Sequence, residues 1–185
     1  KELFPSFDIA SAEALSAFGS DDLYMEKFIK NPRHIEVQVF GDTFGNAVHL
    51  GGRDCSMQRR NQKVLEESLS TYLDDNEKNH LYKIAVDIVE GIGYLGAGTV
   101  EFIVDSEKNF YFIEMNTRIQ VEHPVTEMIT GVDLIKLQIL IANREAIPFK
   151  QEDIVFKGHA IECRINAENP SNDFKPCPGK ITSIN

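Results

Sequence analysis

Two acidic residues in a predicted β-hairpin, residues 99–116, could bind a divalent cation. A turn at 105–108 would place Glu101 roughly opposite Phe112 and diagonal to Glu114, so both carboxylates and the Asn116 amide project from one face. Like charges this close repel each other unless a cation or a proton lies between them. Oxygen ligands suit Mg²⁺ or Mn²⁺, which often bridge substrate phosphates, so the pattern predicts a nucleotide site. Alternation alone equally allows two solvent-facing acids.

A dense group of polar residues follows in the run 114–124, which reads EMNTRIQVEHP. Arg118 could hold a small planar oxyanion through two parallel hydrogen bonds. Glu122 could then act as a base beside that anion. The simpler alternative is a structural loop fixed by salt bridges.

The basic run 58–63, QRRNQK, has two interpretations. Alone, it is typical of a solvated edge strand. Next to a metal–phosphate site, it would supply hydrogen-bond donors to the phosphates and to the small anion. His34 and Arg164 lie on the polar faces of predicted strands, where a surface or paired role is the default interpretation.

The elements that must position these residues follow from periodicity and capping. Predicted helices cover 8–18, a segment that begins after Asp74 or Asp75 and ends at Gly91 or Gly93, and about 131–143 with Leu134, Ile135, Leu137, Ile139 and Ile141 buried. Predicted strands cover 23–29, a half-buried segment with Ile35, Val37 and Val39 on one face, a hairpin partner at 47–50, and 159–167. Residues 55–67 are predicted to be extended. This mixture predicts an α+β fold with a mostly antiparallel sheet.

Length and composition limit the possible classes of protein. The chain has 185 residues, enough for one domain or two small lobes, and a formal net charge of −10. The negative charge argues against nucleic acid as a partner, and no apolar run reaches the length of a membrane helix. Three cysteines without a Cys-x-x-Cys pair favour a reducing compartment and no zinc site. Because the first residue is Lys1, we expect the sequence to be a piece cut from within a longer polypeptide.

Several segments together resemble the biotin carboxylase component of biotin-dependent carboxylases, such as acetyl-CoA, propionyl-CoA or pyruvate carboxylase. The matching segments are 25–29, 33–39, 53–60, 112–134 and 158–168. The resemblance covers nearly the whole chain, and its run Arg118–Pro124 is highly specific. It implies an ATP-grasp fold that uses ATP and bicarbonate, through carboxyphosphate, to carboxylate biotin on a carrier protein.

The resemblance also implies the roles of individual residues. It assigns ATP to Glu26, Lys27, Ile29, His34, Gln58, Asn61 and Ile103. It assigns Mg²⁺ or Mn²⁺ to Glu101, Glu114 and Asn116. It assigns bicarbonate to Lys63, Arg118, Gln120, Val121 and Glu122. Glu122 is the implied base, Arg164 the implied stabiliser of the biotin enolate, and both belong with Lys63 and Arg118 to the catalytic set.

Two departures from the family pattern bear on this assignment. Many family members have His where this chain has Asn61, which can donate a hydrogen bond but cannot carry a charge. The Gly-rich lid and upstream lysines of the family are absent, so the expectation is an inactive fragment. Its expected parts are the end of the lid subdomain and hinge (1–30), the C-terminal ATP-grasp subdomain (31–150) and the start of a truncated C-terminal region (151–185).

The expected setting of the parent enzyme follows from the same resemblance. Expected partners are a biotin carboxyl carrier, a carboxyltransferase and further copies in a homo-oligomer, in the cytoplasm or, for a eukaryotic source, the mitochondrial matrix. Two alternatives stay open. One is another ATP-grasp ligase that activates a different carboxylate as an acyl phosphate, and the other is a non-catalytic nucleotide-binding or assembly module. The final acceptor, an acyl-CoA, pyruvate or urea, is not set by this sequence.

Overall fold

The computed structural model describes residues 2–68 and 71–183, and the chain divides into two compact units, 1–30 and 31–185. The first unit contains helix α1, Leu3–Phe18, which ends at Gly19 with a φ of 74°. Residues 23–29 have no regular structure, so the strand predicted there is wrong. A strand needs a partner for its backbone hydrogen bonds, and α1 is the one regular element described within this unit.

The second unit is built on a six-stranded sheet in the order β5-β4-β1-β2-β3-β6. The strands are β1 Arg33–Gly41, β2 Ala47–Arg59, β3 Gln62–Ser68, β4 Gly96–Val104, β5 Phe110–Asn116 and β6 Ile161–Cys163. All neighbouring strands pair antiparallel. Together with the four α-helices found among the described residues, this sheet confirms the predicted α+β class and its mostly antiparallel pairing. A separate two-stranded ribbon joins β7 Glu168–Asn169 to β8 Lys175–Pro176, and short 3₁₀ turns cover Gln151–Asp153 and Pro170–Asn172.

The extended segment predicted at 55–67 is a tight hairpin of β2 and β3. Arg60 and Asn61 form its turn with φ angles of 53° and 62°. Two consecutive positive φ angles match the right-handed twist of the strands, and Asn tolerates this conformation well. The turn brings Lys63 back beside Gln58, its partner in the β2–β3 ladder.

Helix α2, Asp75–Ile92, covers one face of the sheet. Asp74 is its N-cap and forms a reciprocal capping box with Glu77, and Gly93 ends the helix with a φ of 62°. Gly91 lies inside the helix. The core on this side contains Ile35, Val37, Val39, Leu73, Leu81, Tyr82, Ala85, Val89, Val100, Phe102 and Val104.

The helix predicted at 131–143 begins later, and another helix precedes it. Helix α3, His123–Thr130, ends at Gly131, and α4, Leu134–Ala142, starts after the N-cap Asp133. A polar run leads directly into α3, so the sequence showed no helical spacing of apolar residues that would have predicted this short helix. One stripe of α4 is buried in a second core, which contains Phe40, Val48, Leu50, Ala97, Leu134, Leu137, Ile141 and Ile147. Ile135 and Ile139 lie off this stripe and are exposed, contrary to prediction.

Strand β1 is buried on both faces, which corrects the half-buried prediction. Val37 and its apolar neighbours pack towards α2, but Glu36 and Gln38 on the other face are also fully buried. They are covered because Arg53 of β2 reaches both side chains and Thr126 of α3. This polar interior forms the floor of the site below. Among the described residues, no helix combines the length and the apolar character needed to cross a bilayer.

Candidate active site

The two carboxylates of the β4–β5 hairpin lie directly across from each other. Glu101 pairs with Glu114, whereas Phe102 pairs with Phe112, so Ile113 is an extra residue in a β-bulge. The expected register, with Glu101 opposite Phe112, is therefore wrong. Phe112 is exposed, and its ring lies 6.3 Å from that of the buried Phe102 in an edge contact.

Asn116 lies between these carboxylates. Its Nδ2 donates to Oε1 of Glu101 at 2.8 Å and to Oε1 of Glu114 at 3.0 Å. The amide thus occupies the position where a cation would relieve the repulsion of the two acids. Turning the amide would present its oxygen instead, which completes a set of hard oxygen ligands suited to Mg²⁺ or Mn²⁺.

Lys63 is the centre of the charged network. Its Nζ lies 2.5 Å from Oε2 of Glu36, 2.8 Å from Oε1 of Glu122 and 3.0 Å from Oε1 of Glu101. Burial would lower the pKa of Lys63, but the charge of Glu36 raises it well above its usual value. The ammonium therefore stays charged and screens three carboxylates from one another.

The network also keeps its acids ionised. Burial would raise the pKa of Glu101, but hydrogen bonds from His34 and Gln120, with the charge of Lys63, lower it to about 2. Burial likewise opposes ionisation of Glu122, and the hydrogen bond and charge of Lys63 lower its pKa. Both groups are thus carboxylates at neutral pH, available to a cation or to a proton from a substrate.

His34 is oriented by a chain of hydrogen bonds. The Gln58 Nε2 donates to the Cys55 carbonyl at 2.9 Å and lies 3.0 Å from Nδ1 of His34. Because this amide nitrogen is a donor, Nδ1 must accept, which places the ring proton on Nε2. That atom lies 2.6 Å from Oε2 of Glu101, so the Nε2 edge of His34 faces the candidate metal ligand.

Two buried residues complete the floor and were missed in the sequence. The Arg53 Nε lies 2.5 Å from Oε1 of Glu36, and both side chains are fully buried. Glu36 therefore joins Arg53 and Lys63 through its two oxygens. The alternation of β1 placed Glu36 on a polar face, but no pattern indicated that this face would be buried.

Arg164 reaches the site from the end of β6. Its Nη2 donates to Oε2 of Glu122 at 2.9 Å, while its Nε donates to Oε1 of the buried Glu66 at 2.6 Å. Glu122 thus has one oxygen on Lys63 and the other on Arg164. Two cations at the mouth of a cavity can bind an anion next to a carboxylate base.

The polar side chains surround one open cavity of about 780 Å³. Its lining includes twelve of the predicted residues, namely His34, Gln58, Asn61, Lys63, Glu101, Glu114, Asn116, Arg118, Gln120, Val121, Glu122 and Arg164. Ile103 pairs with His34 in the β1–β4 ladder and is half-buried, but it is not part of this lining. Glu26, Lys27 and Ile29 belong to unit 1–30, and their role stays a prediction.

Gln120 also presents an unsatisfied acceptor to this region. Its Nε2 donates to Glu101 at 3.0 Å, while its Oε1 is buried without a hydrogen-bond partner among the described residues. Arg118 is exposed, and within the described part of the chain its side chain makes one hydrogen bond, from Nη1 to the Ile119 carbonyl at 3.2 Å. These two side chains have donor and acceptor capacity left for a ligand.

Comparison with known proteins agrees with this geometry. Residues 1–150 match the family described as the carbamoyl-phosphate synthase L chain, ATP-binding domain. A chloroplastic biotin carboxylase of Arabidopsis thaliana is 60% identical over 174 residues, which cover 94% of this chain and 32% of that protein. The chain thus spans about a third of the length of this curated relative.

Solved structures show the same similarity. The biotin carboxylase domain dimer of Hydrogenobacter thermophilus 2-oxoglutarate carboxylase, in complex with MgADP, ADP and bicarbonate, has a TM-score of 0.86 and 56% identity over 95% of this chain and 39% of that one. A Campylobacter jejuni biotin carboxylase complex with a β-γ-ATP ligand has a TM-score of 0.89 and 54% identity over 98% of this chain and 40% of that one.

This similarity confirms the expected ATP-grasp half. The match over residues 1–150 covers strands β1 to β5, and the structural similarity extends over nearly the whole chain. The chain therefore belongs to the family of the carbamoyl-phosphate synthase L chain ATP-binding domain, and it resembles biotin carboxylases in sequence and in fold.

Proposed function

We propose that this chain is part of a biotin carboxylase polypeptide that uses ATP and bicarbonate, through carboxyphosphate, to carboxylate biotin on a carrier protein. The observation that carries the proposal is the cavity in which the Lys63–Glu122–Arg164 anion site adjoins the Glu101–Glu114 pair. The related Hydrogenobacter domain, which binds both MgADP and bicarbonate, supports this pairing of sites.

Bicarbonate would bind at the end of the cavity where the cations lie. Lys63 and Arg118 supply positive charge, Gln120 and the Val121 backbone supply hydrogen bonds, and Glu122 removes the proton. Glu122 suits this role because its lowered pKa keeps it ionised and because it lies within 3 Å of Lys63. Holding the anion in line with a phosphoryl group supplies proximity rather than covalent chemistry.

A divalent cation would be held by Glu101, Glu114 and Asn116. The residues fit Mg²⁺, since two facing carboxylates and an amide already share one position through hydrogen bonds. When bound, the ion neutralises phosphate charge and orients the transferred group. His34 keeps Glu101 in place from the other side.

Nucleotide binding would involve seven residues. The proposed contacts are Glu26, Lys27, Ile29, His34, Gln58, Asn61 and Ile103. The proposed subdomains are the end of the lid subdomain with the hinge (1–30), the C-terminal ATP-grasp subdomain (31–150) and the start of the C-terminal region (151–185). Asn61 contributes a neutral hydrogen-bonding group at the hairpin turn.

Carboxyl transfer would require Arg164 and further components. Carboxyphosphate would break down to carbon dioxide and phosphate, and the phosphate would accept the N–H proton of biotin. Arg164 would stabilise the resulting enolate as the ring nitrogen attacks carbon dioxide. The partners are a biotin carboxyl carrier and a carboxyltransferase. A homo-oligomer is proposed because the related Hydrogenobacter domain is a dimer.

The test is a Glu122→Gln variant of the full-length polypeptide that contains this chain. Loss of the base should lower bicarbonate-dependent phosphate release by about 100-fold or more and leave MgADP affinity nearly unchanged. The exposed Glu90→Gln on α2 is the control and should match the wild type. Equal losses in release and in MgADP binding would contradict the assignment of Glu122 as the base.

A further inference from the structure

Arg164 is held at two points that differ in burial. Its backbone N–H donates to the Val64 carbonyl at 3.0 Å, which fixes the chain beside β3. Its Nε donates to Glu66, whose side chain is fully buried, and its Nη2 reaches Glu122 at the cavity. One edge of the guanidinium is therefore anchored inside the protein, and the other edge faces the site.

Glu66 is compensated mainly by this arginine. It pairs in the sheet with Glu162 of β6, so a second acid lies on the same face. Its Oε2 is buried and has no hydrogen-bond partner within the residues described. Burial raises the pKa of Glu66, and the charge of Arg164 only partly offsets this effect. Burying a carboxylate with one oxygen unsatisfied is energetically unfavourable, which favours a functional role for Glu66.

We propose that Glu66 is the positioning residue of Arg164, a role that rests on the proposed function of the site. By binding Nε, Glu66 restricts the guanidinium to a single hydrogen bond with Glu122. The Nη1 atom makes no hydrogen bond to any described side chain or backbone group, so it is left to meet an anionic oxygen of the substrate. Without Glu66, the guanidinium is free to pair with Glu122 through two bonds and to block the base.

A double-mutant cycle in the full-length polypeptide tests this coupling. The variants are Glu66→Gln, Arg164→Met and the double variant, with biotin-dependent phosphate release and MgADP affinity as readouts. Glu67→Gln is the matched control, because Glu67 is the next residue of β3 and its carboxylate instead contacts His159 at 2.8 Å. The Glu67 variant should release phosphate at the wild-type rate.

The expected result is a loss of biotin-dependent turnover by about tenfold or more in Glu66→Gln, with MgADP affinity unchanged. In the Arg164→Met background, the same change should have an effect of less than about twofold, because its target is gone. Should Glu66→Gln fail to fold, Glu66→Asp keeps the charge but withdraws it from Nε, and it should also lower turnover.

Two results would overturn the positioning role. One is wild-type turnover in Glu66→Gln or Glu66→Asp, and the other is an equal loss in the presence and absence of Arg164, which a structural role predicts. A wild-type polypeptide that cleaves ATP without any response to biotin gives a different pattern. That pattern would overturn the proposed function itself, and the positioning role with it.

Discussion

Lys63 donates a hydrogen bond of 2.8 Å to Glu122, and the same ammonium contacts Glu36 and Glu101 at 2.5 Å and 3.0 Å. One cation from β3 therefore joins the candidate base to a candidate metal ligand. The three carboxylates are nearly inaccessible to solvent, so the surrounding dielectric does little to screen them. Binding and stability are thus linked at Lys63.

Replacing Lys63 with Met should destabilise the protein strongly. The change leaves three buried carboxylates without their shared cation, so the free energy of unfolding should fall by about 3–5 kcal/mol. Urea unfolding followed by circular dichroism measures this change. Lys83→Met is the control, because Lys83 is exposed and its one ion pair among the described residues is with Asp87 on α2. Its expected cost is below about 0.5 kcal/mol, and similar costs for both variants would refute a buried network.

Acid should destabilise the fold partly through His49. Its ring lies 4.5 Å from that of Tyr82, and burial lowers its pKa from 6.5 to about 4. The unfolded chain therefore takes up this proton at a higher pH than the folded chain, and the free energy of unfolding falls as pH drops from about 6.5 to 4. The contribution is up to about 3 kcal/mol at pH 4.

Comparing pH profiles of stability isolates this effect. In His49→Phe the loss of stability between pH 7 and pH 4 should be smaller by up to that amount, whereas His80→Gln, at an exposed position on α2, should follow the wild type. Parallel profiles for His49→Phe and the wild type would show that the ring is not protonated on unfolding.

Two glycines should respond oppositely to alanine. At Gly41 a Cβ would lie 2.0 Å from the Tyr94 carbonyl oxygen, a backbone atom that cannot move aside cheaply. Gly41→Ala should therefore cost about 3 kcal/mol. Gly91 lies in α2, and no described atom outside the helix backbone comes within 4 Å of the place an alanine methyl would take, so Gly91→Ala should stabilise by about 0.5 kcal/mol. Thermal unfolding of both variants measures this, and a neutral Gly41→Ala would show that β1 and Tyr94 are less closely packed.

Local patterns were sufficient to predict most elements of the fold. The alternation around Val37 predicted β1, and Asp74 or Asp75 was expected to cap α2, whose N-cap is Asp74. The bulge at Ile113 could not be predicted, because an extra residue changes pairing but leaves the sequence pattern intact. Helix α3 was missed for a similar reason, since a polar run leads directly into it.

The sequence predicted residues that line the candidate site, but not the buried residues that hold them in place. Glu101, Glu114 and Asn116 were expected to meet, and the structure brings them together. The sequence did not identify Glu66 and Arg53 as buried, because a polar residue in an extended segment is usually expected to face solvent. Their burial depends on contacts with distant segments, from Arg164 and from Thr126, which local periodicity does not contain.

Phosphate release from ATP by the full-length polypeptide, measured with and without bicarbonate and free biotin, tests the proposed function most directly. The expected result is fast phosphate release only when bicarbonate and biotin are both present, because one cavity combines Lys63, Glu122 and Arg164 with Glu101 and Glu114. Release that ignores biotin but responds to another carboxylic acid would contradict it. The roles of Glu122 and Arg164 would then belong to a different ATP-dependent ligase.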